Sequence, residues 1–246
     1  MSTGRSAGAV PRTPIDRIGA AVLHQFVEMI VTGEVGPGDM LPPEAQLAQE
    51  FGVSRTVVRE TMKRLQEKGM VTVAQGRGTH VNPMLTWNLL DPLVLQTLIG
   101  HDDTLGILDE LSVVRGALEA AMAAATAARR DDDGLSRLRE SLQLMRDSMD
   151  DSAAFREADV QFHVAVMELS GNTLAESLAR VLFERALESN RYHGIDPERA
   201  FELTMREHEL VLAAIEAGDT EAARAAMDHH ILGSWERRRL PTNKRG

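Results

Sequence analysis

VSRTVVRETMKRLQEKGMVTVAQGRGTHV, residues 53–81, sets a polar cap before an amphipathic stretch, then a glycine stop and two β-branched runs around a glycine turn. Ser54 is placed to cap a helix over Arg55–Lys68, because its hydroxyl can accept a free N–H of the first turn. On a helical wheel Val57, Val58, Thr61, Met62 and Leu65 share one side, and Arg55, Thr56, Arg59 and Lys63 share the other. Gly69 ends the helix. MVTVA, QGRG and THV then read as a two-strand hairpin, with glycines where positive φ is expected.

Upstream, residues 15–33 read as a helix, with Ile18, Val22, Phe26, Met29 and Ile30 at helical spacing, stopped by Gly33 and Gly36-Pro37-Gly38. A short helix from Pro43 to Phe51 follows, entered through Pro42-Pro43, and Gly52 makes the turn into the next. Helix, short helix, tight turn, longer helix and hairpin is the order of a winged helix-turn-helix: three helices plus a two-strand wing. Downstream, residues 83–92 (PMLTWNLLDP) form a linker bounded by prolines. The chain beyond is helical nearly to its end, with breaks at Gly100–Asp103, Arg130–Asp133, Gly171-Asn172, Gly194–Pro197 and Gly218-Asp219. That predicts a mainly α protein whose C-terminal part is an antiparallel bundle of six or seven helices. The expected organisation is a flexible tail over 1–14, the winged helix over 15–82, a linker and first connecting helix over 83–102, the helical domain over 103–238, and a tail over 239–246.

The net charge of −10 looks unsuited to a nucleic-acid binder until it is divided. Residues 1–82 hold nine Lys/Arg against eight Asp/Glu, and within 51–80 the balance is six basic to two acidic. Local charge governs phosphate contact, so the acidic remainder does not veto DNA binding. The chain has no cysteine, which excludes disulfides and thiolate metal sites and fits a reducing compartment. The first residues lack the apolar run of a secretory signal, and the Ala-rich stretch Ala117–Ala128 is too short and is interrupted by Glu119. The expectation is a cytoplasmic protein without a membrane partner.

The outer face of the 55–68 helix carries two arginines one turn apart near its N-terminal end, where a helix-turn-helix meets base edges. Arginine suits this, since its planar fork can bond guanine O6 and N7 together. Lys63, Arg64 and the wing-tip Arg77 are placed for phosphate. A merely solvated basic face is the bland alternative, and the glycine turn before it and the wing after it argue against that. The run LPPEAQLAQEFGVSRTVVRETMKRLQEKGMVTVAQGRGTHV, residues 41–81, resembles the DNA-binding domain of the GntR superfamily of bacterial regulators. The resemblance implies that Arg55 and Arg59 read bases with Thr56 in support, and that Gly76 and Arg77 approach the minor groove. Many members have an arginine directly after Pro-x-Glu, and this chain has Ala45 there, so one base contact is missing.

In the helical part, Asp159 and His163 are four apart and so face the same way. His208 lies among Phe201, Met205, Val211, Leu212 and Ile215, and His230 shares its side with Ala223, Ala226 and Met227. Any one of these histidines could be a satisfied core residue. As a set, interior histidines on separate helices plus a carboxylate can converge on one divalent metal: zinc foremost, or nickel, manganese or iron. A register error of one residue would exchange His230 for His229. His24, His101 and His193 have no partner pattern, and His80 is a weak phosphate candidate.

LSVVRGALE, ADVQFHVAVMELSGN, REHELVLAAIEAGD and AARAAMDHH, spread over roughly residues 105–235, resemble the FCD effector domain of the FadR subfamily of GntR regulators. That resemblance implies Asp159, His163, His208 and His230 as metal ligands, with a small carboxylate effector completing the coordination. Arg115 matches a recurrent arginine and is the candidate for holding that carboxylate, with a salt bridge to Glu119 as the alternative. WNLLDPLVLQ resembles the segment after the wing in galactonate-responsive repressors, which also carry Pro-x-Glu-Ala, and this favours a sugar acid of the aldonate kind. The expected protein is a homodimeric repressor on a near-palindromic operator of double-stranded DNA, with no catalytic residues. Three rivals stay open: a metal-dependent hydrolase, for which Glu207 is the candidate base although inward-facing His208 turns it about a hundred degrees away on the helix, a regulator responding to another organic acid, and a purely structural metal site.

Overall fold

The computed structural model describes residues 14–74, 76–189 and 199–239. Two compact units divide the chain, one up to His101 and one from Asp102. The break expected at Gly194–Pro197, and His193, lie outside the described residues.

The first unit runs α1 (Pro14–Val31), β1 (Met40–Leu41), α2 (Glu44–Glu50), α3 (Arg55–Glu67), β2 (Val71–Ala74), β3 (Gly78–Val81), a 3₁₀ turn (Met84–Thr86) and α4 (Pro92–Gly100). Its core joins Val22, Leu23, Phe26, Val27 and Ile30 of α1 to Leu47, Val58, Met62, Leu65 and Met70. The buried stripe of α1 differs in part from the expected one, because Ile18 is 48% exposed while Leu23 and Val27 point inward. The wing has three strands, not the two expected: the antiparallel order is β1-β3-β2, with Met40 opposite His80 and Leu41 opposite Thr79. A two-residue strand has no periodicity to read, and its partner lies forty residues away, so nothing local announces it.

The segment read as a linker is packed onto this unit. Trp87 is buried and its indole N–H donates to the Asn82 carbonyl at 3.0 Å, while the Asn88 N–H donates to Lys68 O at 2.8 Å. Lys68 and Asp91 form a largely buried ion pair, and Asp91 caps α4 by accepting from Leu93 and Val94 N–H. Helix α4 then packs on α1 through buried Val94, Leu95 and Leu98. Gly69 makes this return possible: its φ is +72°, and a Cβ there would stand 2.1 Å from the Thr86 carbonyl oxygen. Gly69→Ala is expected to lower stability by roughly 2–5 kcal/mol, combining left-handed strain of about 1–2 with overpacking of about 1–3. Gly76→Ala, at φ +75° with nothing within 4 Å, should show only the strain. Equal shifts of the urea midpoint in the two variants would count against the close approach at Thr86.

The second unit contains α5 (Gly106–Arg129), α6 (Asp132–Asp147), α7 (Ser152–Leu169), α8 (Thr173–Glu188), α9 (Ala200–Ala217) and α10 (Thr220–Arg239), six helices among the described residues. Its core gathers Ala123, Ala127, Leu138, Met145, Phe162, Val166, Val211, Ile215 and Met227. A turn at Ser148–Asp151 divides α6 from α7, a break the sequence reading did not place. No Gly or Pro marks it; Asp151 starts α7 by accepting from Ala153 and Ala154 N–H at 3.0 and 3.1 Å. Helix α5 is apolar and long enough to cross a bilayer by composition alone, yet 61% of its most apolar window is buried inside the unit. Its small residues bring α10 close: a Cβ on Gly116 would meet Asp228 Oδ1 at 3.0 Å.

Candidate DNA-reading helix and metal centre

The Ser54 hydroxyl accepts from Val57 N–H at 3.3 Å and so starts α3 as its sequence suggests. Val58, Thr61, Met62 and Leu65 are buried, Val57 is half-buried, and Arg55, Thr56, Arg59 and Lys63 are exposed. Arg59 Nη2 donates to Glu44 Oε2 at 3.2 Å across the turn from α2, a contact the sequence reading did not foresee. Ala45, the next residue, is exposed with no donor to offer. Gly76 takes φ +75° at the wing tip, and beside it Arg77 is exposed. At His80, Nε2 lies 3.0 Å from the Arg77 carbonyl oxygen and Nδ1 3.4 Å from that of Gly38, so one ring N–H can donate within the wing.

In the second unit, α7, α9 and α10 bring Asp159, His163, His208 and His230 together, with one candidate ligand atom of each within 4.8 Å of the others. His163, His208 and His230 are buried at 2%, 0% and 3% exposure; Asp159 sits at the edge. His229 is exposed, so the register places His230 inward. His230 Nε2 lies 3.2 Å from His163 Nε2 and 3.0 Å from His208 Nε2. Two imidazole nitrogens each about 2.0–2.1 Å from one zinc ion would lie ~3.0–3.4 Å apart, so the spacing fits a shared cation. Among the described residues Asp159 Oδ1 is buried without a hydrogen-bond partner, 3.7 Å from His208 Nε2. A buried carboxylate oxygen without a donor is costly, and a cation would satisfy it.

Around the centre, burial disfavours the charged form of His208 and His230, while the two carboxylates behind it stay ionised. Burial, reinforced by His230 and His163, holds His208 well below the usual imidazole value. Burial also lowers His230, against the opposing hydrogen bond to Glu207. For Glu119, burial works to raise the carboxyl, but Arg115 and then His163 outweigh it and bring it down to about 2. Burial of Glu207 is outweighed by hydrogen bonds from His230 and Arg237, and it too lies at about 2. Metal ligation needs neutral imidazole, so this electrostatic setting suits it. Glu207 does not face the centre, in keeping with its place one residue from His208, but it is buried and lies behind His230. It is therefore not poised as a base toward bound water.

Arg115 is buried and ion-paired with Glu119, its Nε and Nη2 each 2.8 Å from Oε1, and its guanidinium lies 4.5 Å over the Phe183 ring. The salt bridge that was one reading of Arg115 is thus present. Arg115 also borders the cavity that opens beside Asp159, His163 and His230 and is further lined by Arg156, Thr204, Ser234 and Arg238. The sequence reading missed the arginines Arg156 and Arg238. They stand one turn before Asp159 and two turns beyond His230 (residues 156 and 238), a spacing that could have suggested them.

A winged helix joined to an all-helical unit with a buried polar centre is the build of a DNA-binding regulator with a separate sensing part. Residues 19–81 match the bacterial regulatory proteins of the gntR family, and residues 110–233 match the FCD domain. The chain belongs to the GntR family of bacterial transcriptional regulators, with an FCD domain as its second part. It is 32% identical over 212 residues to the galactonate operon transcriptional repressor of Escherichia coli (strain K12), covering 85% of this chain and 92% of that one. It is 31% identical over 207 residues to the HTH-type transcriptional regulator LutR of Bacillus subtilis (strain 168), covering 82% and 93%. A solved structure described as Lar, which controls the expression of the Listeria monocytogenes agr system, shares the fold at a TM-score of 0.55 and 20% identity, covering 94% of this chain and 100% of that one. These relatives are regulators, and the hydrolase alternative is set aside: the protein is not an enzyme.

Proposed function

We propose that the protein is a cytoplasmic, homodimeric repressor of genes for the catabolism of a carbohydrate acid, an aldonate such as galactonate. Arg55 and Arg59 read bases in the major groove, supported by Thr56; Lys63 contacts phosphate, and Gly76 and Arg77 approach the minor groove of a near-palindromic operator. The DNA-binding part spans 15–82 and the sensing part 103–238. A divalent metal, zinc first, is held by Asp159, His163, His208 and His230, and supplies a Lewis-acid point at which an effector carboxylate can bind. Arg115 grips the same ligand; a guanidinium has five N–H donors, so one side can stay on Glu119. The observation that carries this reading is the convergence of three buried imidazoles and one carboxylate beside a cavity bordered by arginines. The likeness to a galactonate operon repressor supports the effector class.

Release requires the effector to favour the DNA-incompetent state, since equal affinity for both states shifts nothing. Operator binding followed by fluorescence anisotropy tests this, with galactonate and other sugar acids added to zinc-loaded and to chelated protein. The expected result is a loss of operator affinity of about tenfold or more, a coupling of ~1.4 kcal/mol, in the zinc-loaded sample alone. If no sugar acid moves either sample, the aldonate assignment fails and the DNA-reading assignment stands.

A further inference from the structure

Three imidazoles can share one cation only if each turns a bare nitrogen toward it, and in a neutral ring either nitrogen can carry the proton. Two buried carboxylates stand behind the centre, each between a histidine and an arginine. Glu119 Oε2 lies 2.6 Å from His163 Nδ1, while its Oε1 accepts from Arg115 Nε at 2.8 Å. Glu207 Oε2 lies 2.8 Å from His230 Nδ1, and its two oxygens accept from Arg237 Nη1 and Nη2 at 2.7 and 2.8 Å. An ionised carboxylate only accepts, so both Nδ1 atoms must donate. Both Nε2 atoms are then bare, and they face each other at 3.2 Å. Among the described residues His208 has no such support, for its Nδ1 faces the weakly accepting Met145 Sδ at 3.3 Å.

We propose that Glu119 and Glu207 are the positioning residues that make this centre a cation site. Through two arms, Arg115–Glu119–His163 and Arg237–Glu207–His230, they lock the Nδ1–H tautomer of each ring and aim its lone pair inward. The arginines are part of the device, because each fills the remaining acceptor capacity of its carboxylate and holds it in place. The consequence for metal rests on the metal-centre reading above; the tautomers themselves are a property of the metal-free protein.

Variants of the two glutamates separate positioning from mere packing. A glutamine in place of Glu119 has one accepting oxygen and one donating nitrogen. Arg115 can only donate and takes the oxygen, so the amide nitrogen is left facing His163 Nδ1, which must then accept. The ring switches its proton to Nε2 and plugs the centre. At Glu207 the partition differs, because Arg237 donates to both oxygens and an amide there would face a donor whichever way it turned; Glu207→Leu, which removes the acceptor of His230 Nδ1–H, is the informative change.

Two measurements test this: histidine tautomers by long-range proton–nitrogen-15 NMR on metal-free protein, and zinc affinity by competition with a chromophoric chelator. Wild-type protein is expected to show Nδ1–H at His163 and His230. Glu119→Gln should move His163 alone to Nε2–H, Glu207→Leu should cost His230 alone its fixed Nδ1–H, and each should raise the zinc dissociation constant roughly 10–100-fold. A carboxylate that merely packs would leave the tautomers unmoved. Nδ1–H retained at both rings in the two variants, or zinc affinity within about twofold of wild type, would overturn the proposal. Should Glu119→Gln fail to fold, Glu207→Leu decides alone. Wild-type protein that takes up no zinc would sink the metal reading instead, and the tautomer shifts would still decide the role of the two carboxylates.

Discussion

Protein stripped with a chelator and then given excess zinc is expected to melt roughly 10 °C higher, and His208→Ala protein treated identically is expected to gain almost nothing. A ligand present at about a thousand times its dissociation constant stabilises the folded state by ~4 kcal/mol. For a chain of this size each kcal/mol moves the melting temperature by about 2–4 °C. His208 is the informative position because it is fully buried and stacked 4.4 Å from the Phe162 ring, with its Nε2 3.0 Å from His230 Nε2. Truncating it also leaves a cavity, which lowers the melting temperature by itself. The quantity to compare is therefore the zinc-induced shift in each protein, not the starting temperature. An equal shift in wild type and variant would move the metal away from this cluster.

On DNA, Arg59→Ala is expected to cost ~1–3 kcal/mol on the cognate operator, recovered by selection from random duplexes, and little on unrelated duplex. The side chain is exposed on the outer face of α3 and is held by Glu44 in the free protein. That pair is solvent-exposed, at 73% and 41% for its two side chains, so breaking it should leave stability almost unchanged. Loss of affinity without loss of melting temperature would therefore locate the effect at the DNA. An equal loss on both duplexes would make Arg59 a phosphate contact, and sequence reading would then rest on Arg55.

The four clustered residues were legible because each owes its direction to its own helix. Asp159 and His163 share a face by their four-residue spacing, and the apolar neighbours of His208 mark it as inward. Glu119 carried a signal that went unused, as a lone acid in the apolar, Ala-rich face of α5, and it was weighed only as a partner for Arg115. Glu207 was placed correctly away from the centre, but its position next to His208 gave no hint that it would reach His230. Their hydrogen bonds to histidines span 44 and 23 residues and cross between helices. No spacing rule covers such a distance.

What the sequence by itself determined is the order of elements in the winged helix, the two faces of α3 and the set of four residues that converge in the second unit. These follow from helical periodicity, caps and glycine stops, which act over a turn or two of chain. Only the tertiary structure decided the third strand of the wing, the packing of residues 83–91 against the first unit, the carbonyl neighbours of His80 and the two arginine–glutamate arms behind the histidine cluster. Each of these joins side chains or backbone from elements distant in sequence, so it exists only once packing has fixed the distance between them.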